Sequence, residues 1–127
     1  MAMRVDFYST NEGYGFLVGE KGRVYFRGED FFRDNEKDPM PISGEEVEIK
    51  EGVIRRTKTP QPKIGVVESF DSQKGWGFIR EYGKSEKVFL HRSEMIGTWV
   101  PIKGKRVKYY VGSKDSKPRA CYIERSD

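Results

Sequence analysis

One cysteine and one histidine in 127 residues exclude several kinds of chemistry from the outset. A lone Cys121 rules out an internal disulfide, and a reducing cytoplasm is the expected setting. A small core cysteine in Arg-Ala-Cys-Tyr-Ile is the reading that fits its neighbours. A single His91, with no cysteine and histidine spacing of the zinc type, leaves no candidate metal site, and no cofactor is expected. No apolar run is long enough for a membrane helix, and no signal-type stretch follows Met1. A Walker-type glycine loop and a nucleophile elbow are both missing, so no enzymatic activity is expected. Apolar residues are scarce at 35%, and charged residues equal them at 35%. That is too little apolar surface for one large core.

What is present is aromatic and basic. Aromatic residues make up 13% of the chain, which is incompatible with a disordered polymer, and the net charge is +4. The charge is unevenly spread. Residues 1–63 hold 11 Lys+Arg against 12 Asp+Glu, a net of −1; residues 64–127 hold 13 against 8, a net of +5. A basic second half predicts an anionic partner for that half.

The two halves are also copies of one plan. Gly13-Tyr14-Gly15-Phe16-Leu17 returns as Gly75-Trp76-Gly77-Phe78-Ile79. Val24-Tyr25-Phe26-Arg27 returns as Val88-Phe89-Leu90-His91, and Gly44-Glu45-Glu46-Val47-Glu48-Ile49 as Gly104-Lys105-Arg106-Val107-Lys108-Tyr109. Three blocks in one order predict two units, over 1–62 and 63–127. Within each, short alternating runs bounded by glycine and polar turns read as strands: 4–8, 14–18 and 23–26, then 66–70, 76–80, 87–91, 106–111 and 120–124. Residues 28–33 and 93–97 read as single turns. Five short strands per unit predict an all-β chain of two small five-stranded barrels in tandem, a closure that removes sheet edges. Such units lie near the lower size limit for an independent core. Thr59-Pro60-Gln61-Pro62 reads as a stiff connector that also serves as the last strand of the first unit.

Alternation assigns the faces. Trp76 and Phe78 share one side of a strand, as do Phe89 and His91, while Val88 and Leu90 point to a core. Gly75 and Gly77 are read as leaving space for a flat base beside Trp76, with Lys74, Arg80, Lys87 and Arg92 around the rings. Rings for stacking plus cations for phosphates are what single-stranded nucleic-acid binding requires. The same residue types also serve as ordinary half-buried core aromatics. However, burying both faces would need a covering layer that sixty residues do not supply.

At Gly65-Val66-Val67-Glu68-Ser69-Phe70, Lys74-Gly75-Trp76-Gly77-Phe78-Ile79 and Val88-Phe89-Leu90-His91 the second unit resembles the cold-shock domain family, and Pro118-Arg119-Ala120 resembles its approach to the fifth strand. The resemblance implies an OB-fold barrel that binds single-stranded RNA or DNA, with RNA-chaperone or transcription and translation roles known in the family. It carries stacking roles to Trp76, Phe78, Phe89 and His91, and a phosphate contact to Lys74. Departures are Ser69 where the family has tryptophan, and Arg92 where an aromatic follows the histidine. Trp99 has two readings, a compensating stacker or a loop anchor packed on the barrel. The first unit is a divergent cold-shock-like copy. Phe7, Tyr14, Phe16 and Tyr25 keep the ring pattern, but Glu12 replaces the lysine and Arg27 the histidine, ahead of Glu29 and Asp30. Arg27 offers a guanidinium plane for stacking. This acidic unit is expected to add stacking surface or, alternatively, to serve as a protein-interaction module. Phe31-Phe32 reads as a plug for the first barrel, Arg55-Arg56-Thr57-Lys58 as a solvated basic loop or, alternatively, a phosphate-contacting edge, and 112–118 as a mobile loop whose Lys114 and Lys117 are placed to touch the nucleic-acid backbone.

Overall fold

The computed structural model describes residues 2–126. The chain divides into two compact units, Met1–Pro60 and Gln61–Asp127. The first unit contains β1 (Ala2–Ser9), β2 (Tyr14–Gly19), β3 (Gly22–Arg27), a single 3-10 turn (Gly28–Asp30), β4 (Phe31–Phe32), β5 (Glu46–Lys50) and β6 (Val53–Arg56). The second contains β7 (Lys63–Asp71), β8 (Trp76–Glu81), β9 (Lys87–His91), a 3-10 turn (Arg92–Glu94), β10 (Arg106–Lys114) and β11 (Lys117–Arg125). The all-β expectation holds; the 3-10 turn at Gly28–Asp30 lies within the expected 28–33, and the one at Arg92–Glu94 starts one residue before the expected 93–97 and overlaps it by two.

The second unit is a closed barrel in the order β10-β11-β9-β8-β7. Closure is made by one parallel pairing, Arg119↔Phe89, and by the bridge Met95↔Ile123. The first unit has the sheet order β3-β2-β1-β5-β6-β4. β4 is the counterpart of that bridge: Phe31 pairs in parallel with Ile54 of β6, so the single turn between β3 and β4 carries the chain round to the other end of the sheet.

The repeat is visible bond by bond. Gly44 N–H donates to Val5 O at 2.7 Å and Gly104 N–H to Val67 O at 2.8 Å; Gly28 N–H donates to Gly13 O at 3.0 Å and Arg92 N–H to Gly75 O at 2.9 Å. The cores follow the same register. Val5, Leu17, Phe26, Phe31, Val47 and Ile54 form the core of the first unit's six-stranded sheet, and Val67, Ile79, Leu90, Val107 and Ile123 fill the second unit's closed barrel with Tyr109 and Ala120. Cys121 is buried. Each inward residue alternates with an outward one, so the period-two pattern directs one side chain in two toward solvent.

Four local expectations are corrected. Thr59-Pro60-Gln61-Pro62 lies outside any strand, and the first unit's last strand ends at Arg56, before the prolines. Residues 112–118 are no mobile loop: they are the paired tip of the β10–β11 hairpin, turning at Asp115 and Ser116. Phe31 enters the core, but Phe32 is exposed beneath the Arg55 guanidinium, 4.0 Å from its ring. Arg56 is structural rather than solvated. Its side chain is 5% exposed and donates two hydrogen bonds to Glu45, each 2.8 Å, and two more to Pro39 O and Met40 O.

Candidate nucleic-acid interface

Strand register, not sequence proximity, assembles the outward rings of the second unit. Phe78 lies opposite Phe89 and Trp76 opposite His91 on adjacent antiparallel strands. The centroids of Trp76 and Phe78 are 6.0 Å apart, Trp76 and Phe89 6.1 Å, Phe78 and Phe89 6.2 Å, and Phe89 and His91 6.3 Å. Trp76 is exposed and the other three are half-buried, so their faces remain open on a surface backed by Ile79 and Leu90. The His91 Nδ1 accepts the Ser93 N–H at 3.1 Å and lies 2.8 Å from Ser93 Oγ, which ties the ring to the turn that follows β9.

Two glycines act differently from the sequence reading. Gly77 faces inward, and a Cβ there would overlap Ser69 O of the neighbouring strand, so it permits close crossing of β7 over β8 rather than approach of a base. Gly75 has φ of +81°, and the space beside it holds the Arg92 guanidinium. Arg92 is thereby laid along the turn next to Trp76. Lys74 is exposed in the same turn, where its N–H and that of Gln73 donate to Asp71 Oδ1 at 3.0 and 2.9 Å. Those donors hold the Asp71 carboxyl below its usual range, Lys74 first.

The remaining cations are unequal. Arg80 is committed to Glu68 at 2.9 Å, and this hydrogen bond holds the Glu68 carboxyl below its usual range. Arg119 was not a candidate from sequence, yet β11 brings its guanidinium to 5.9 Å from the Phe89 ring, with Glu94 at 3.6 Å behind it. Burial pushes the Glu94 carboxyl up, against the opposing pull of Arg119. Only the parallel pairing of β11 with β9 makes Arg119 a neighbour of Phe89, and no local pattern signals it.

Trp99 does not join the four rings. Its indole N–H donates to Ile96 O at 2.7 Å and its ring packs on the second core, the anchor arrangement. It lines a recess of about 290 Å³ with Phe70, Arg92 and Met95. A wider cleft of about 540 Å³ opens where Ser69 stands, between Phe70 and Trp76.

The first unit assembles a second cluster. Phe7 lies opposite Phe16, and Phe16 opposite Tyr25. Centroid separations run from 5.6 Å for Tyr14 and Tyr25, which stack, to 6.2 Å for Tyr14 and Phe16, which meet edge to face. Its electrostatics differ. The Arg23 guanidinium covers Phe16 at 4.3 Å and is itself held by Asp6 at 3.0 Å, while Arg27 pairs with Glu29 at 3.3 Å. Arg23 is a second residue that sequence reading missed, although its spacing of two from Tyr25 places both on one face.

The model of the 'Cold-shock' DNA-binding domain family matches residues 63–126. A cold shock domain-containing protein of Drosophila melanogaster is 34% identical, over 57% of this chain and 59% of its own length. Cold shock domain-containing protein C2 of Mus musculus is 32% identical over 58% of this chain and 47% of its own, and calcium-regulated heat-stable protein 1 of Homo sapiens is 31% identical over 61% and 58%. The chain thus spans about half the length of these relatives. Among solved structures, drosophila Unr CSD456 matches 99% of this chain and 60% of its own, at a TM-score of 0.50 and 17% identity, a likeness of fold that extends over both units. With a closed five-stranded barrel, a half-open aromatic face and a family match covering half its length, this chain belongs to the cold-shock domain family.

Proposed function

We propose that the second unit binds single-stranded RNA or DNA by stacking bases on Trp76, Phe78, Phe89 and His91, with Lys74 and Arg92 contacting phosphates. Family membership implies nucleic-acid binding in general, and the observation that supports this particular mode is the set of four neighbouring rings turned outward beside those cations. Each base–aromatic stack contributes about 1–3 kcal/mol and tolerates any base, because every base has a π-face. Three or four stacks hold a strand open, so binding alone melts weak secondary structure and acts as an RNA chaperone without ATP.

The first unit takes a subordinate part. Phe7, Tyr14, Phe16 and Tyr25 provide stacking surface, but Arg23 and Arg27 are both paired with carboxylates, which weakens phosphate capture there. Titration with oligo-U and oligo-dT at low salt tests the proposal. Trp76 emission is expected to quench on binding, and unchanged emission with both oligonucleotides rejects it.

A further inference from the structure

In the second unit the outer edge of β9 is covered. β10 and β11 are nine residues each, long enough for Arg119 to pair with Phe89, and Val88 beneath packs on the core. The matching hairpin of the first unit is cut short: β5 has five residues and β6 four, with the turn at Glu51 and Gly52. β6 therefore reaches only β4, and β3 ends the sheet.

The alternation of antiparallel hydrogen bonds shows what that edge presents. Since Gly28 N–H donates to Gly13 O, the main-chain groups of Phe26 and Val24 face β2, and those of Arg27, Tyr25 and Arg23 face away. The Arg27 N–H is taken by Asp30 Oδ2 at 3.0 Å. The outward N–H and C=O groups of Arg23 and Tyr25 have no neighbouring strand among the described residues. Side chains show the same vacancy. Val24 lies on the core-facing side of β3 yet is 41% exposed, where its counterpart Val88 is half-buried against the core.

We propose that the outer edge of β3 accepts an extended segment of a partner protein as an added strand, acidic on one face and apolar on the other. Main-chain donors and acceptors in alternation match another strand and not a phosphate chain, which has no N–H to offer the Tyr25 and Arg23 carbonyls. On the inner face an apolar side chain completes the cover over Val24. On the outer face the neighbours are Arg23 and Arg27, whose present partners Asp6 and Glu29 are solvent-exposed and exchange at little cost. A second copy is the wrong occupant. Antiparallel β3–β3 pairing centred on Tyr25 sets Arg23 opposite Arg27 on both sides, and like charges directly opposed destabilise a pair. The arginines thus guard the edge against copies of itself and select opposite charge.

The test uses the full isotope-labelled chain and an acetylated, amidated eight-residue peptide of alternating Glu and Val. The expected result is a shift of the Arg23 and Tyr25 amide signals, with exchange of those amides slowed about tenfold or more. The Lys-Val peptide, and the Glu-Val peptide with every backbone N–H methylated, are expected to do neither. The double variant Arg23→Glu, Arg27→Glu is expected to reverse the preference toward Lys-Val. An equal response to the methylated peptide reduces the effect to charge attraction and overturns the proposal, as does no response at millimolar peptide. The same shifts appearing with protein concentration alone would assign the edge to a second copy and overturn it likewise.

Discussion

Replacing Phe89 with alanine removes the ring at the centre of the second unit's face. It lies 6.1 Å from Trp76, 6.2 Å from Phe78 and 6.3 Å from His91, so its loss deletes one platform and loosens three others. One lost stack costs about 1–3 kcal/mol, or about 5- to 150-fold in Kd. A value inside that range, a weakening of about tenfold or more, is expected. Folding survives, because Val88 and Leu90 hold this strand to the core and Phe89 is only half-buried, so a loss on the order of 1 kcal/mol is expected. Anisotropy of labelled oligo-U and oligo-dT at low salt gives Kd, and thermal melts of the same samples separate binding from stability. A Trp99→Phe background leaves Trp76 as the sole reporting indole. Unchanged affinity in a fully folded variant would refute the stacking argument. Raising salt is expected to lower log K linearly with log salt by a slope of a few phosphates, and a flat response would point to another ligand.

Tyr14→Ala in the first unit is expected to weaken binding less than Phe89→Ala in the same assay; equal losses would mean that the units share the work. Arg56→Ala strands the Glu45 carboxylate in a partly dry site and is expected to destabilise the first unit by about 3–5 kcal/mol, read by urea unfolding; a change under about 1 kcal/mol would contradict the buried pairing. Tyr109→Phe removes a buried hydroxyl that has no hydrogen-bond partner among the described residues and whose pKa burial pushes up to about 12, so the variant is expected to melt at or above the parent temperature. Asp71 is held below its usual range by two backbone donors, so its stabilisation is present above the unfolded-state pKa and lost as pH falls through the folded one. The Tm gap between parent and Asp71→Ala is therefore expected to be constant near neutral pH and to close in acid; a gap independent of pH would remove the carboxylate from the account.

The rings were legible in the sequence because a strand has period two. Trp76 and Phe78, or Phe89 and His91, declare a shared face without any knowledge of the partner strand. Lys74 and Arg92 were legible as neighbours because they lie one or two residues from those rings. The role of Arg80 was not, since its pairing with Glu68 depends on the register of β7 against β8. The two glycines were half legible. Their presence marked an unusual backbone, but whether the space beside them faces a base, Ser69 O or Arg92 is decided by strands far away in sequence.

By itself, the order of residues determined the two-fold repeat, the inward and outward faces of each strand and the charge contrast between the units, because these follow from periodicity and composition alone. Only the tertiary structure decided which edges are covered. A nine-residue β11 brings Arg119 to Phe89, whereas a four-residue β6 leaves β3 bare, and hairpin length becomes consequential only when the barrel closes on itself. Closure is a long-range pairing, set by where distant segments meet rather than by what either segment prefers.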